Sequence, residues 1–135
     1  MNQHNILIVG AGRAGRILAR DIATHHHDCH MVGFVDDNVK VSGAVLGDIG
    51  AMPKLLKLWR VDEIIIAIPS ADGALIRRIL LTNIKNRIPI RIVPRDQRII
   101  SKSDVRYAEV RSLDPEDFLG RPFKRQNVDR LTDYY

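Results

Sequence analysis

Residues 5–15 read Asn5-Ile6-Leu7-Ile8-Val9-Gly10-Ala11-Gly12-Arg13-Ala14-Gly15, and this stretch decides the fold. A run of branched apolar residues stopped by glycine is the pattern of a strand buried on both faces. From Ala14 to about Ala23, Ala14, Ile17, Leu18 and Ile22 recur at helical spacing while Arg16, Arg20 and Asp21 fall elsewhere, so an amphipathic helix should follow directly. Between strand and helix stands a complete G-x-G-x-x-G. Gly10 permits the tight turn, Gly12 removes the Cβ that would keep the backbone from a pyrophosphate, and Gly15 lets the helix pack closely on the sheet. The helix N-terminus then offers free N–H groups and a partial positive charge to phosphates.

Working outward, Met31 to Val35 is a second strand ending at Asp36-Asp37. Asp36 lies twenty-one residues beyond Gly15, where an acid accepts hydrogen bonds from adenosine ribose hydroxyls and repels a 2′-phosphate. NAD is therefore expected in preference to NADP. Asp37 is the second choice for that role. Arg13 reads either as a phosphate contact or as a solvated first-turn arginine. Pro69 and Ser70 follow the strongest apolar run, Val61 to Ile68; they mark either a contact to the cofactor at the carboxyl edge of the sheet or the turn that ends the strand. Gly10, Ala11, Gly12, Arg13, Ala14, Gly15, Asp36, Asp37, Pro69 and Ser70 form the candidate cofactor-binding set.

The remaining chain repeats the alternation. Val39 to Gly50 reads as a loop with room for a short extended segment, and Ala51 to Trp59 as a helix burying Leu55, Leu58 and Trp59. Ala71 to about Asn86 follows as a helix with Leu75, Ile79, Leu80 and Ile84 inward, and Ile88 to Val93 as a strand between Pro89 and Pro94. Strand and helix in alternation predict an α/β, doubly wound parallel sheet of about five strands with helices on both faces. Tyr107 to Leu113 predicts a last strand, and Asp114-Pro115-Glu116-Asp117 opens a short helix that Gly120 can close. One domain over residues 1–135 is expected, with 107–135 as its C-terminal extension.

Composition narrows the function. The chain has 135 residues, 45% hydrophobic and 27% charged, the balance of a globular chain rather than a disordered one. Its longest apolar stretch falls far short of the ~18 to 20 residues a membrane span requires. Cys29 is the only cysteine, so no disulfide closes within the chain and a reducing, cytoplasmic setting is expected. The net charge of +5 is concentrated beyond Leu75, where fourteen basic residues face eight acids. That arginine-rich half suits oligomer contacts. With aromatics at 5% no stacking platform for nucleic acid exists, and nucleic acid is not an expected partner. His25-His26-His27-Asp28-Cys29-His30 lacks the spacing of a metal site and reads as a polar helix end and turn. No catalytic residue is assigned: Tyr107 precedes Arg111, not a lysine, at the four-residue spacing of a short-chain oxidoreductase, and neither G-x-S-x-G nor a P-loop occurs.

Ile6 to Gly15, Gly33-Phe34-Val35-Asp36-Asp37, and Val61 to Ser70 together resemble the N-terminal Rossmann-like, CoA-binding-like domain of bacterial polysaccharide-biosynthesis nucleotide-sugar dehydratases and epimerases. Val110 to Pro122, with Leu119-Gly120-Arg121-Pro122, resembles the segment found just before that family's catalytic domain. The resemblance implies a parent enzyme of UDP-sugar 4,6-dehydratase type at the cytoplasmic face of the inner membrane. Membrane helices would lie ahead of this domain and the catalytic Tyr and Lys beyond Tyr135. A related domain occurs in membrane-bound sugar-phosphate transferases, but the Leu-Gly-Arg-Pro end favours the former group. Two functions are thus expected as alternatives: the NAD(H)-binding domain of a UDP-sugar enzyme, or a non-catalytic regulatory or oligomerisation module sensing a dinucleotide, CoA or a UDP-sugar.

Overall fold

The structure, a computed structural model, describes residues 3–38, 40, 43–94, 105–115 and 118. Strand β1 (His4–Val9) is followed by α1 (Arg13–His25) and β2 (Cys29–Val35), then β3 (Val45–Gly47), α2 (Met52–Leu58), β4 (Glu63–Ile66), α3 (Gly73–Leu81), β5 (Ile90–Ile92) and β6 (Arg111–Ser112). The strands form one sheet in the order β3-β2-β1-β4-β5-β6. The first five are parallel, and β6 runs antiparallel to β5. This is the doubly wound α/β order expected of a Rossmann-like fold, with the direction of winding reversing between β1 and β4.

The central position of β1 explains why its sequence does not alternate. Leu7 and Val9 enter a core with Met52, Leu55 and Leu56 of α2 and Ile76, Ile79 and Leu80 of α3. Ile6 and Ile8 enter a second core with Ala14, Leu18 and Ile22 of α1. Helices therefore cover both faces, α1 on one and α2 with α3 on the other. The same double burial makes Ile64, Ile65 and Ile66 of β4 fully inaccessible.

Three expectations are corrected. Leu58 is 68% and Trp59 46% exposed, because α2 ends at Leu58 and Trp59 is already extended. The buried stripe is Met52, Leu55 and Leu56, one helical turn earlier. Helix α3 stops at Leu81, not near Asn86. There the Thr82 hydroxyl donates to the Ile79 carbonyl, and the Asn83 side chain bonds both the N–H and the carbonyl of Ile88, a side-chain competition that ends the helix. The last strand shrinks to Arg111–Ser112, preceded by a 3₁₀ turn at Tyr107–Glu109. The extended segment allowed for between Val39 and Gly50 is β3. Gly120 and the rest of residues 119–135, with the Leu-Gly-Arg-Pro segment, lie outside the described residues.

This C-terminal arm wraps the sheet edge. Val105 and Val110 pack into the α1-side core, β6 lines the edge, and Leu113 and Phe118 reach the α2 and α3 side, where Arg77 Nε donates to the Phe118 carbonyl at 2.8 Å. Its anchor is Glu63, 3% exposed, which accepts from His4 Nε2 at 2.8 Å, the Tyr107 hydroxyl at 2.7 Å and Arg91 Nη1 at 3.2 Å. Burial and the Glu63 carboxylate push the Tyr107 hydroxyl well above the ordinary tyrosine range.

Candidate functional site

The site lies at the opposite, carboxyl edge, where β1 and β4 end side by side. Gly10 has φ +117°, and its N–H donates to the Val35 carbonyl at 2.7 Å. A Cβ there would stand 2.7 Å from the Ala67 carbonyl oxygen and 2.8 Å from Ile68 Cγ1. Only glycine fits that conformation in that space. A Cβ on Gly15 would lie 1.8 Å from the Gly10 carbonyl oxygen, so this glycine lets α1 sit directly on the loop. Gly12 differs, since a Cβ added to it would meet nothing within 4 Å. The outer glycines serve packing and the middle one faces open space.

Gly12 is also the N-cap of α1, with extended backbone, no side-chain capping bond and no acid in the first turn. By contrast, Asp72 closes the start of α3, accepting from Leu75 N–H at 2.9 Å, and Asp48 closes the 3₁₀ turn Ile49–Ala51 that leads into α2, accepting from Ala51 N–H at 3.0 Å. At the start of α1 the N–H groups of the first turn and the positive end of the helix dipole coincide, the arrangement that suits an anion.

Asp36 is brought to the loop. One carboxylate oxygen accepts the Ala11 N–H at 2.7 Å and the other the Asn38 N–H at 2.8 Å. Asp37 turns away: it accepts the Ile49 N–H at 2.9 Å and pairs with Arg78 Nη1 at 2.6 Å. The Ile49 N–H, and then the Arg78 guanidinium, hold its carboxyl below the usual carboxylate range against the opposing effect of burial. Of the two acids, Asp36 faces the loop and Asp37 is engaged in structure. Pro69 and Ser70 are exposed beyond β4, beside the loop through the Ala67 N–H bond to Val9. Ala14 is 6% exposed and belongs to the core, so only its backbone is available to a ligand. Arg13 is exposed and lines a groove of about 350 Å³ with Arg16, Ile17 and Arg20. By spacing alone Arg16 and Arg20 belong only to the polar face of the helix, in an i, i+3, i+7 row with Arg13.

Comparison with solved structures finds the same fold in three dehydrogenases. UDP-D-quinovosamine 4-dehydrogenase from Vibrio fischeri is 20% identical with a TM-score of 0.68, over 87% of this chain and 99% of that one. The C. glutamicum DAP dehydrogenase, in complex with DAP, is 19% identical with a TM-score of 0.54, over 76% of this chain and 31% of that one. An engineered D-amino acid dehydrogenase bound to NADP+ is 16% identical with a TM-score of 0.52, over 75% of this chain and 30% of that one. This chain thus corresponds to less than a third of each of the latter two enzymes. At these identities the likeness is one of fold. No curated protein matches the chain. Residues 1–94, which hold the glycine loop, Asp36 and all five parallel strands, match the family described as a CoA-binding domain, and the chain belongs to that family.

Proposed function

We propose that this chain is an NAD(H)-binding Rossmann module of a nucleotide-sugar dehydrogenase, 4,6-dehydratase or epimerase acting on UDP-sugars in bacterial surface polysaccharide synthesis. The observation that carries the reading is the uncapped N-terminus of α1 above the open face of Gly12, with the Asp36 carboxylate at the same loop. Backbone N–H groups of the first turn of α1 hold the pyrophosphate, and Gly12 lets it approach. Asp36, anchored by two backbone N–H groups, presents acceptors to a free ribose diol and repels a 2′-phosphate, which favours NAD over NADP. It equally disfavours the 3′-phosphate of CoA on a ribose placed there. When bound, the nicotinamide supplies hydride transfer, and the protein supplies binding and orientation. The likeness to a UDP-sugar 4-dehydrogenase supports the nucleotide-sugar setting. The parent sits at the cytoplasmic face of the inner membrane and associates through its arginine-rich half.

A second reading, a non-catalytic module sensing a dinucleotide, CoA or a UDP-sugar, is favoured by the position of Tyr107. Its hydroxyl is spent on buried Glu63 at the amino edge of the sheet, away from the glycine loop.

Calorimetric titration of the chain with NADH, NADPH, CoA and a UDP-sugar tests the proposal, with Gly12→Val as control. NADH binding that exceeds NADPH and CoA and vanishes in the folded variant is expected. No NADH binding to the folded chain would overturn it.

A further inference from the structure

The amino edge of the sheet, opposite the glycine loop, carries the exposed large hydrophobics of the described residues. Leu58 is 68% and Trp59 46% exposed, side by side where α2 ends and the chain turns toward β4. Cations surround them. Lys57 and Arg60 flank the pair in sequence, and both are exposed. The loop after α3 lies beside this one, because it leads into β5, the neighbour of β4, and the Ile64 N–H donates to the Pro89 carbonyl at 3.0 Å. That loop adds exposed Lys85 and Arg87. Over residues 57–62 and 83–89, four cations thus stand against one acid, Asp62. Its carboxylate already accepts the Asn5 N–H at 2.8 Å and lies 3.6 Å from Arg60.

Lys57 suits the negative end of the α2 dipole, but Arg87 has no such local reason. Its φ is 51°, in the left-handed region that glycine occupies freely and a residue with a Cβ does not. The loop is held in this shape by Asn83, whose side chain bonds the N–H and carbonyl of Ile88 and whose carbonyl accepts the Arg87 N–H at 2.8 Å. An arginine at a strained and exposed position breaks a local rule with no gain inside the fold, which marks a functional surface.

The chemistry of the edge selects its occupant. Tryptophan joins an apolar ring to a polar N–H and favours the boundary between headgroups and acyl chains, leucine enters the apolar side of that boundary, and Lys and Arg meet the phosphates of anionic lipids. A second copy of the chain fits poorly. Two apolar side chains fall far short of the ~800 Å² per partner that a stable interface buries, and a two-fold contact would set the same four cations against each other.

We propose that the Leu58 and Trp59 edge docks this chain onto bilayers bearing anionic headgroups, with the two apolar side chains inserted and Lys57, Arg60, Lys85 and Arg87 on the lipid phosphates. The glycine loop, at the carboxyl edge, then faces away from the bilayer and stays open to a nucleotide from solution. The surface shares no residue with the nucleotide site, so the two readings stand or fall separately.

Trp59 is the only tryptophan of the chain, so its fluorescence reports the contact directly. The full chain is titrated with vesicles of mixed phosphatidylglycerol and phosphatidylcholine, and with vesicles of phosphatidylcholine alone. On the mixed vesicles the emission should shift to the blue and become protected from acrylamide. Affinity should fall as salt rises and be about tenfold or more weaker for phosphatidylcholine alone. In co-sedimentation, Leu58→Gln should lose about tenfold and Arg87→Gly about fivefold in affinity for the mixed vesicles, with NADH affinity unchanged in both. The denaturant midpoint of Arg87→Gly should hold or rise, because glycine fits that φ. A lowered midpoint with vesicle binding untouched would make Arg87 structural and overturn its role. Failure of the folded chain to bind the mixed vesicles, or equal binding by Leu58→Gln, would overturn the docking surface. A blue shift that appears without lipid and tracks a concentration-dependent rise in sedimenting mass would assign the edge to a second copy and overturn it also.

Discussion

The three loop glycines make opposite demands, and Gly15→Ala is the sharpest test of that division. By helix propensity alone alanine should stabilise α1 by about 1 kcal/mol over glycine. The packing predicts the reverse. The new Cβ would stand 1.8 Å from the Gly10 carbonyl oxygen, so α1 must retreat by about 1.6 Å to reach an ordinary contact. Gly10 cannot yield, because its own position is fixed between the Ala67 carbonyl and the Val35 carbonyl it bonds. The retreat carries Ala14, Leu18 and Ile22 away from Ile6, Ile8 and Ile65. A gap of 0.5 to 1 Å already forfeits roughly a quarter to a half of a dispersion well, and overpacking costs about 1 to 3 kcal/mol or more. Because the contact is with backbone, the overpacking cost falls at the upper end of that range, and net of propensity Gly15→Ala should lose about 2 kcal/mol, a large share of a stability on the order of 5 to 15 kcal/mol. Gly12→Val, whose side chain enters open space, should lose only about 1 kcal/mol through poorer capping, yet abolish NADH binding. Urea unfolding followed by circular dichroism measures the first quantity and calorimetry the second. A Gly15→Ala chain as stable as wild type, or a Gly12→Val chain less stable than Gly15→Ala, would refute the assignment of packing to the outer glycines and ligand approach to the middle one.

Three further outcomes follow from the same geometry. Asp36→Ala should narrow the ratio of NADH to NADPH affinity severalfold by removing the carboxylate at the loop, and an unchanged ratio in competition titrations would count against its role. Asp37, whose carboxyl is held low in the folded chain by the Ile49 N–H and Arg78, contributes stability that is present above its unfolded value near 3.8 and is lost as the pH falls below it. Denaturant midpoints between pH 6 and pH 3 should therefore fall less steeply for Asp37→Asn than for wild type; parallel curves would refute the linkage. Leu56→Ala should cost about 2 to 4 kcal/mol and Leu58→Ala less than about 0.5 kcal/mol, since Leu56 is 7% and Leu58 68% exposed; chemical denaturation distinguishes them, and equal losses would restore Leu58 to the core.

How much of this was legible in the sequence depended on how local the deciding physics was. The strands around Ile6 to Val9 and Ile64 to Ile66 could be read because burial on both faces leaves a continuous apolar run, and the loop because three glycines stand at fixed spacing. Helix ends were less legible. Trp59 is apolar and sits at helical spacing from Leu55, but α2 is only seven residues long, too short to carry the stripe that far. Asn83 and Thr82 end α3 by bonds to backbone groups that composition does not reveal. The spacing ranks Asp36 ahead of Asp37, but the partners that separate them, the Ala11 N–H for Asp36 and the Ile49 N–H with Arg78 for Asp37, do not follow from pattern. Adjacent residues at a strand end point to opposite faces, and which face meets the loop is fixed by the register of β1 with β2.

The parallel direction of β1 to β5 also explains why the candidate binding loop and the Glu63 anchor occupy opposite edges. Parallel strands present all their carboxyl ends together, so the loops after β1, β2 and β4 converge where the winding reverses. The amino edge collects the starts of the same strands: His4 of β1, Glu63 of β4 and, from β5, Arg91. A buried carboxylate there is costly unless fully bonded, and the third donor it requires comes from Tyr107. The Tyr107 backbone N–H meanwhile bonds Asp21 of α1 at 2.8 Å. The arm is thus tied both to the sheet and to the far half of the helix whose near end bears the glycine loop. Helix α1 is gripped from below by Gly15 on Gly10 and from its distal half by Tyr107, while Arg13, Arg16 and Arg20 stay on its exposed face.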